Sequence, residues 1–313
     1  MDSALRPMST SEVLDRTFHL YRNHFITLAG IGILLPALYL ILQLMFLHFG
    51  YVAGSADSQS DVDYVPLTLF YAVCTVVIFV FGYSLVSGAT FHAVSRLHLG
   101  QRVTILECYR KVCSRFPTVF RIVVSLCIRA IGPFVASFFG FVALGMALRR
   151  MVGSLGRSAL PVIIASVWIL VFAALFWTLY IYIKYSMSVA ACMAEKLRAR
   201  EALKRSRFLT KKTKWRIFLV FLLMGIIGVA LNYAFTAPSE YYSLEHNGKL
   251  TVSWAIWEYV GGFLAGTLAG PISTIAITLV YYDQRVRKEA FDLQFMLENL
   301  NELQPQHNAV GAG

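Results

Sequence analysis

Charge is scarce in this chain. Of its 313 residues only 14% are Asp, Glu, Lys or Arg, where soluble domains carry about a quarter. The five cysteines, Cys74, Cys108, Cys113, Cys127 and Cys192, form no CxxC pair and no Cys/His spacing suited to zinc. None falls in a segment assigned to the outside, so they read as reduced thiols and a disulfide framework is not expected. The seven histidines form no HExxH and no H-x-E with cysteine partners. Walker A, GxSxG and GxGxxG are missing as well, and Gly261-Gly262 lies in too apolar a setting for a phosphate loop. These gaps leave no catalytic, cofactor or metal residue to assign. No signal peptide is expected either. Residues 1–24 are polar and amphipathic, and the first apolar run is too long for a signal core, so it is expected to remain as an anchor.

What fills the chain is apolar residue in long blocks. Hydrophobic residues make up 58% and the mean hydropathy is +0.63. A soluble protein with a very large core would need polar residues interleaved at helical spacing, and the blocks lack them. The reading is an all-α, polytopic integral membrane protein with six spans. They are 26–47, with Pro36 as a kink; 65–94; 118–148, interrupted at Gly132-Pro133; 160–183; 217–235; and 253–282. Residues 50–64 form an acidic outer loop, 149–157 a short loop, and 236–252 a polar loop. Residues 283–302 read as a C-terminal amphipathic helix with Val286, Ala290, Leu293, Leu297 and Leu300 on one face. Residues 303–313 read as a frayed polar tail, so 1–302 form a single membrane domain.

Between the spans lie three amphipathic surface helices. Ser9-Thr-Ser-Glu12 has the capping-box pattern, in which the first side chain and the fourth satisfy each other's backbone N–H. Leu14, Phe18, Tyr21 and Phe25 then share one face. Thr104-Ile-Leu-Glu107 repeats the pattern. Glu12, Glu107 and Glu201 stand 95 and 94 residues apart, each with a base four places on, Arg16, Lys111 and Arg205. That spacing suits an ion pair on a helix face. Each helix meets an aromatic at the membrane edge (Phe25, Phe116, Trp215) and leads into two spans. The expectation is three units, 9–95, 104–189 and 198–282, each a surface helix followed by a membrane hairpin.

Net charge is +11. The bases cluster beside the spans, so topology and anionic lipid account for them before nucleic acid does, and no nucleic-acid partner is expected. Twenty-three Lys and Arg fall in the segments expected inside and four in the outer loops. The positive-inside rule therefore places both termini in the cytoplasm. Arg149, Arg150 and Arg157 dissent. If the third and fourth spans were re-entrant, their loop would face inward instead.

Three stretches carry a family resemblance. They are Leu5-Arg-Pro-Met-Ser-Thr-Ser-Glu-Val-Leu-Asp-Arg-Thr-Phe-His-Leu-Tyr-Arg22, Glu201-Ala-Leu-Lys-Arg-Ser-Arg-Phe-Leu-Thr210 with Trp215, and Tyr281-Tyr-Asp-Gln-Arg-Val-Arg-Lys-Glu-Ala-Phe-Asp-Leu293. They resemble the signatures of the glycerophosphoryl diester phosphodiesterase membrane domain and its bacterial relatives, over nearly the whole chain. Gln284 and Ala290 depart from the closing pattern, where an aliphatic residue and glycine are expected. The family name implies a catalytic barrel in some relatives, which would need roughly a couple of hundred further residues. No soluble segment here is that long, so the family's chemistry is carried to no residue of this chain.

Several constellations remain. Residues 195–216 hold ten bases, more than topology requires at roughly 1 kcal/mol each near an anionic surface. Lys204, Arg205, Arg207, Lys211, Lys212 and Lys214, with Arg285, Arg287 and Lys288 after the last span, form a candidate surface for membrane lipids or a partner protein; the alternative is simple anchoring. Arg129, about 20 Å in from Phe116, and Glu258, about 9 Å in from the other side, fall at similar depth in a core of about 30 Å. They are either an intramembrane charge pair or the lining of a polar cavity. Gly262, Gly266 and Gly270 form a helix-packing seam, within or between protomers. The leading reading is a non-enzymatic scaffold or accessory module without cofactor. The alternatives are a small-molecule or lipid transporter with a site between the units, and a lipid-modifying enzyme.

Overall fold

Two short helices of this chain start where a side chain meets the orphan N–H groups of a first turn. The computed structural model describes residues 8–55, 64–98, 100–151, 160–246 and 251–289. Helix α1 (Thr10–Asn23) opens on Ser9, whose Oγ accepts from Glu12 N at 3.2 Å while Glu12 accepts from Ser9 N at 2.6 Å. Helix α5 (Ile105–Cys113) opens on Thr104, which accepts from Glu107 N at 3.4 Å. Helix α9 (Ala199–Thr210) opens on Arg198, which has no acceptor to offer; here Glu201 alone closes the turn, accepting from Arg198 N at 3.0 Å. Ion pairs at two of these helices go elsewhere than four places on. Glu107 pairs with Arg96 at 3.6 Å, and Arg205 turns away to Glu195 and Glu289.

The other elements are α2 (Phe25–Gly32), α3 (Leu34–Ser55), α4 (Tyr64–His98), α6 (Phe116–Met151), α7 (Leu160–Tyr185), α8 (Ser188–Glu195), α10 (Lys214–Glu245) and α11 (Val252–Glu289). Among the described residues there is no strand. Helices α4, α6, α7, α10 and α11 are long and apolar enough to cross a membrane, and the bent pair α2–α3 makes a sixth candidate if it is one span. Large apolar side chains such as Phe70, Ile128, Ile169, Phe176 and Val229 stand exposed along them. Soluble monomers do not carry apolar surface on that scale. The class is a multi-pass helical membrane protein.

Several boundaries differ from expectation. The stretch from 236 to 245 is the end of α10, not a loop, and Pro238 lies inside the helix. Gly132-Pro133 does not interrupt α6. Residues 283–289 continue α11 without a break, and the rest of the expected C-terminal amphipathic helix lies outside the described residues. So do 56–63, 152–159, 247–250 and the tail. Helix α1 buries Val13 and Thr17, while on the face expected to meet the membrane surface Phe18 is exposed, Leu14 and Tyr21 are half-buried, and Phe25, which opens α2, is exposed.

Beside three of the prolines another helix supplies a donor, and at Pro133 it reaches the orphaned carbonyl itself. A proline inside a helix lacks the N–H owed to the carbonyl four residues back. In α6 that carbonyl is Arg129, and it accepts from Trp177 Nε1 at 3.3 Å, while Thr178 Oγ1 donates to Ala130 O at 3.1 Å. Beside Pro238, Trp257 Nε1 donates to Phe235 O at 3.1 Å; beside Pro271, Tyr21 Oη donates to Leu268 O at 3.0 Å. The chain bends by 42° between α2 and α3, at Ile33, three residues before Pro36. Tyr109 Oη donates to Ile31 O there at 2.6 Å. In a membrane such donors decide whether a broken ladder is affordable.

Helix α11 organises the packing. Of its apolar window 44% is buried, against 17 to 22% for the other candidate spans. Its first half pairs with α10 and its flanks meet α1, α2, α3 and α4. The main core, with Leu28, Ile31, Val94, Val112, Leu209 and Tyr281, gathers around its second half, at the end of the bundle that holds the basic residues.

Candidate functional site

The basic end of the bundle is built on two carboxylate nodes. The first is Asp283, whose side chain is fully buried. It accepts from Arg216 Nη1 at 2.5 Å, Arg287 Nε at 3.1 Å, Gln284 Nε2 at 3.1 Å and the backbone N–H of Met8 at 2.7 Å. Both arginines also donate to Met8 O, at 2.7 and 2.6 Å. One carboxylate thus ties the chain ahead of α1, the first turn of α10 and the end of α11 into one knot.

The second node is Glu195, at the end of α8. It pairs with Arg205 at 2.9 Å and Arg285 at 3.6 Å, and accepts from Tyr281 Oη at 2.8 Å. Glu289 joins it, bound to Arg205 and, at 3.3 Å, to Arg285. Burial alone would lower the Arg205 guanidinium, but its hydrogen bonds to Glu195 and Glu289, and their charges, hold it above its ordinary value. Lys288 Nζ closes the set by donating to the carbonyls of Phe208, Leu209 and Lys211 at 2.7 to 2.8 Å. Those are orphan acceptors at the end of α9.

The expected nine-residue surface is therefore divided. Arg205, Arg285, Arg287 and Lys288 are consumed in holding α1, α8, α9, α10 and α11 together. Lys204, Arg207, Lys211, Lys212 and Lys214 are exposed. Arg207 Nη2 donates to Tyr185 Oη at 2.7 Å, and Lys214 Nζ lies 4.6 Å from the centre of the Tyr180 ring. Lys212 turns the chain between α9 and α10 at φ 69°, a left-handed position common just past a helix end. The residues overlooked in the sequence are the acids, Glu195, Asp283 and Glu289. Their signal was their rarity: acidic side chains in otherwise basic runs.

Arg129 and Glu258 are not brought together. The Arg129 guanidinium lies 5.0 Å from the centre of the Tyr185 ring, and it lines a cavity with Arg198 of α9. Side chains of a helix lean toward its N-terminus, so Arg129 reaches back toward the basic end rather than across to α11. Glu258 is half-buried near the first turns of α11, where the neighbouring charge is Glu240 of α10.

The three seam glycines have different surroundings. Gly266 faces Pro36, where a Cβ would lie 3.1 Å from the ring; Gly262 and Gly270 have nothing within 4 Å of that position. Close approach occurs at other glycines. A Cβ on Gly32 would lie 2.5 Å from Pro271 Cγ, and one on Gly261 would lie 3.0 Å from Phe235 O. Gly266, Gly270 and Ser273 instead separate two cavities. One, of about 1040 Å³, opens between α7, α10 and α11; the other, of about 500 Å³, lies between α2, α3, α4 and α11.

Comparison with known proteins shows a family likeness over part of the chain. A family model described as the membrane domain of glycerophosphoryl diester phosphodiesterase matches residues 161–307. Over that part, a little under half of its length, the chain is similar to the family's membrane domain, not to its catalytic domain. The match takes in Glu201–Thr210 and the closing stretch from Tyr281; the amino-terminal stretch from Leu5 lies ahead of it. No curated protein and no solved structure is matched by the chain.

Proposed function

We propose that the protein is a non-catalytic scaffold or accessory module of the bacterial inner membrane, with both termini cytoplasmic. It engages lipid headgroups or a partner protein through its basic cytoplasmic end. Three units build it: α1 with the bent span α2–α3 and α4; α5 with α6 and α7; and α9 with α10 and α11. A glutamate at the third position of each short helix supports that division. The hydrogen bond from Arg287 to Met8 O supports a common side for the first and last described segments.

The observation that carries the reading is the sorting of the bases. Arg205, Arg216, Arg285 and Arg287 have carboxylate partners. Lys204, Lys211, Lys212 and Lys214 are exposed and, among the described residues, in no ion pair. Four lysines beside an anionic leaflet contribute roughly 1 kcal/mol each. Changing all four to glutamine should lower the anionic lipid that copurifies with the protein, read by native mass spectrometry, with topology and thermal stability unchanged. Undiminished lipid and partner recovery from that variant would reject the reading.

A transporter is the second reading, favoured by the two cavities flanking Gly266 and Gly270. Solute flux in proteoliposomes that falls on changing Gly270 to leucine would raise it above the first.

A further inference from the structure

A cavity of about 720 Å³ lies between α6 and the start of α9, lined by Arg121, Ser125, Arg129, Arg198, Arg200 and Glu201 among others. Ligand sites commonly fall between about 300 and 1,000 Å³. At this end of the bundle Arg205, Arg216, Arg285 and Arg287 are matched to Asp283, Glu195 or Glu289. Here four arginines converge, and among the described residues none of them forms an ion pair. Glu201, the one carboxylate in the lining, is engaged in capping, with Arg198 N 3.0 Å from its Oε2.

Four like charges around one space repel each other, by an amount that salt screening reduces. The start of α9 adds to the positive potential. Its cap residue is Arg198 in place of the Ser9 and Thr104 that cap α1 and α5, so no side-chain oxygen covers its first N–H groups. An anion in the cavity relieves both. Arginine forks match the oxygens of phosphate in particular.

The position selects the kind of anion. Arg129 enters from the apolar stretch of α6, where its neighbours Ile128 and Ile131 are exposed. Arg198 and Arg200 come from the surface helix α9. The cavity therefore spans the boundary between apolar flank and polar end, with Ser125 as a further donor. A lipid phosphate would sit among the four guanidinium groups while its chains lie along the exposed face of α6.

We propose that this cavity binds a phosphate-bearing headgroup, with an anionic phospholipid as its occupant. The proposal rests on the reading that the basic end meets lipid headgroups, and narrows it to one site. The full chain in a non-ionic detergent micelle is titrated with short-chain phosphatidylglycerol, with glycerol 3-phosphate and with inorganic phosphate, following the thermal midpoint and native mass spectra. Phosphatidylglycerol should raise the midpoint of the wild type. Arg129→Gln and Arg200→Gln should each raise the half-saturating concentration about tenfold, as expected when one charge-assisted contact is lost. Arg129→Lys should recover part of that loss. Arg200 is exposed, so its substitution leaves folding intact and keeps the test valid if Arg129→Gln is unstable.

Changing Lys204, Lys211, Lys212 and Lys214 to glutamine separates the two proposals. If that variant loses lipid while both arginine variants bind as wild type does, the cavity site is overturned and the broader reading stands. If no variant changes lipid binding, both fall. Stabilisation by inorganic phosphate or glycerol 3-phosphate equal to that by the lipid supports a phosphate site and overturns the lipid as its source.

Discussion

Asp283 and Gln284 are adjacent, both buried, and predicted to respond oppositely to substitution. Asp283 balances Arg216 and Arg287 in a site with no exposed carboxylate surface. Removing one member of a buried pair leaves the other charge uncompensated, at about 3–5 kcal/mol. Asp283→Asn should therefore lower the thermal midpoint sharply and loosen the chain ahead of α1, seen as faster hydrogen exchange. Gln284 is fully buried, and its Oε1 has no hydrogen-bond partner among the described residues. Gln284→Leu, the aliphatic residue the family pattern expects, removes that acceptor. Its Nε2 bond to Asp283 is one of several Asp283 receives, so a gain of about 1 kcal/mol is expected. A stable Asp283→Asn or a destabilised Gln284→Leu would show that the knot is not the electrostatic node its geometry describes.

Among the helices, glycine separates tight contact from open space. Gly32 ends α2 against Pro271 of α11, and an added Cβ would lie 2.5 Å from the ring. A proline ring cannot turn aside, so Gly32→Ala should cost about 1–3 kcal/mol as overpacking. Gly262 has nothing within 4 Å. Gly262→Ala should be neutral or gain up to about 1 kcal/mol from helix propensity. Unfolding of the two variants in the same detergent measures the difference, and equal midpoints would contradict this account of the α2–α11 contact. Spacing of glycines at every fourth residue was visible in the sequence. Which of them touches a neighbour was not, because that depends on the bend between α2 and α3 and the angle at which α11 crosses them.

For the whole molecule, the proposed orientation makes Cys113 a reporter. It is exposed at the end of α5, while Cys108 and Cys192 are buried. Burial pushes the Cys108 thiol up to about 11, and the thiolate is the reactive form. A membrane-impermeant maleimide should therefore label Cys113 in inside-out vesicles and not in intact spheroplasts; the reverse would invert the assignment. The sequence by itself determined the all-helical membrane class, because long apolar blocks have no other stable form in lipid. It also determined the starts of α1 and α5, because a capping box is local chemistry between residues three apart. Only the tertiary structure decided that α10 and α6 run on through Pro238 and Pro133, since the donors beside them, Trp257 and Trp177, come from other helices. It likewise decided which bases stay open. Arg205, Arg285 and Arg287 look no different in sequence from Lys204 or Lys211. What divides them is the placing of Glu195, Asp283 and Glu289, which packing around α11 brings from distant parts of the chain.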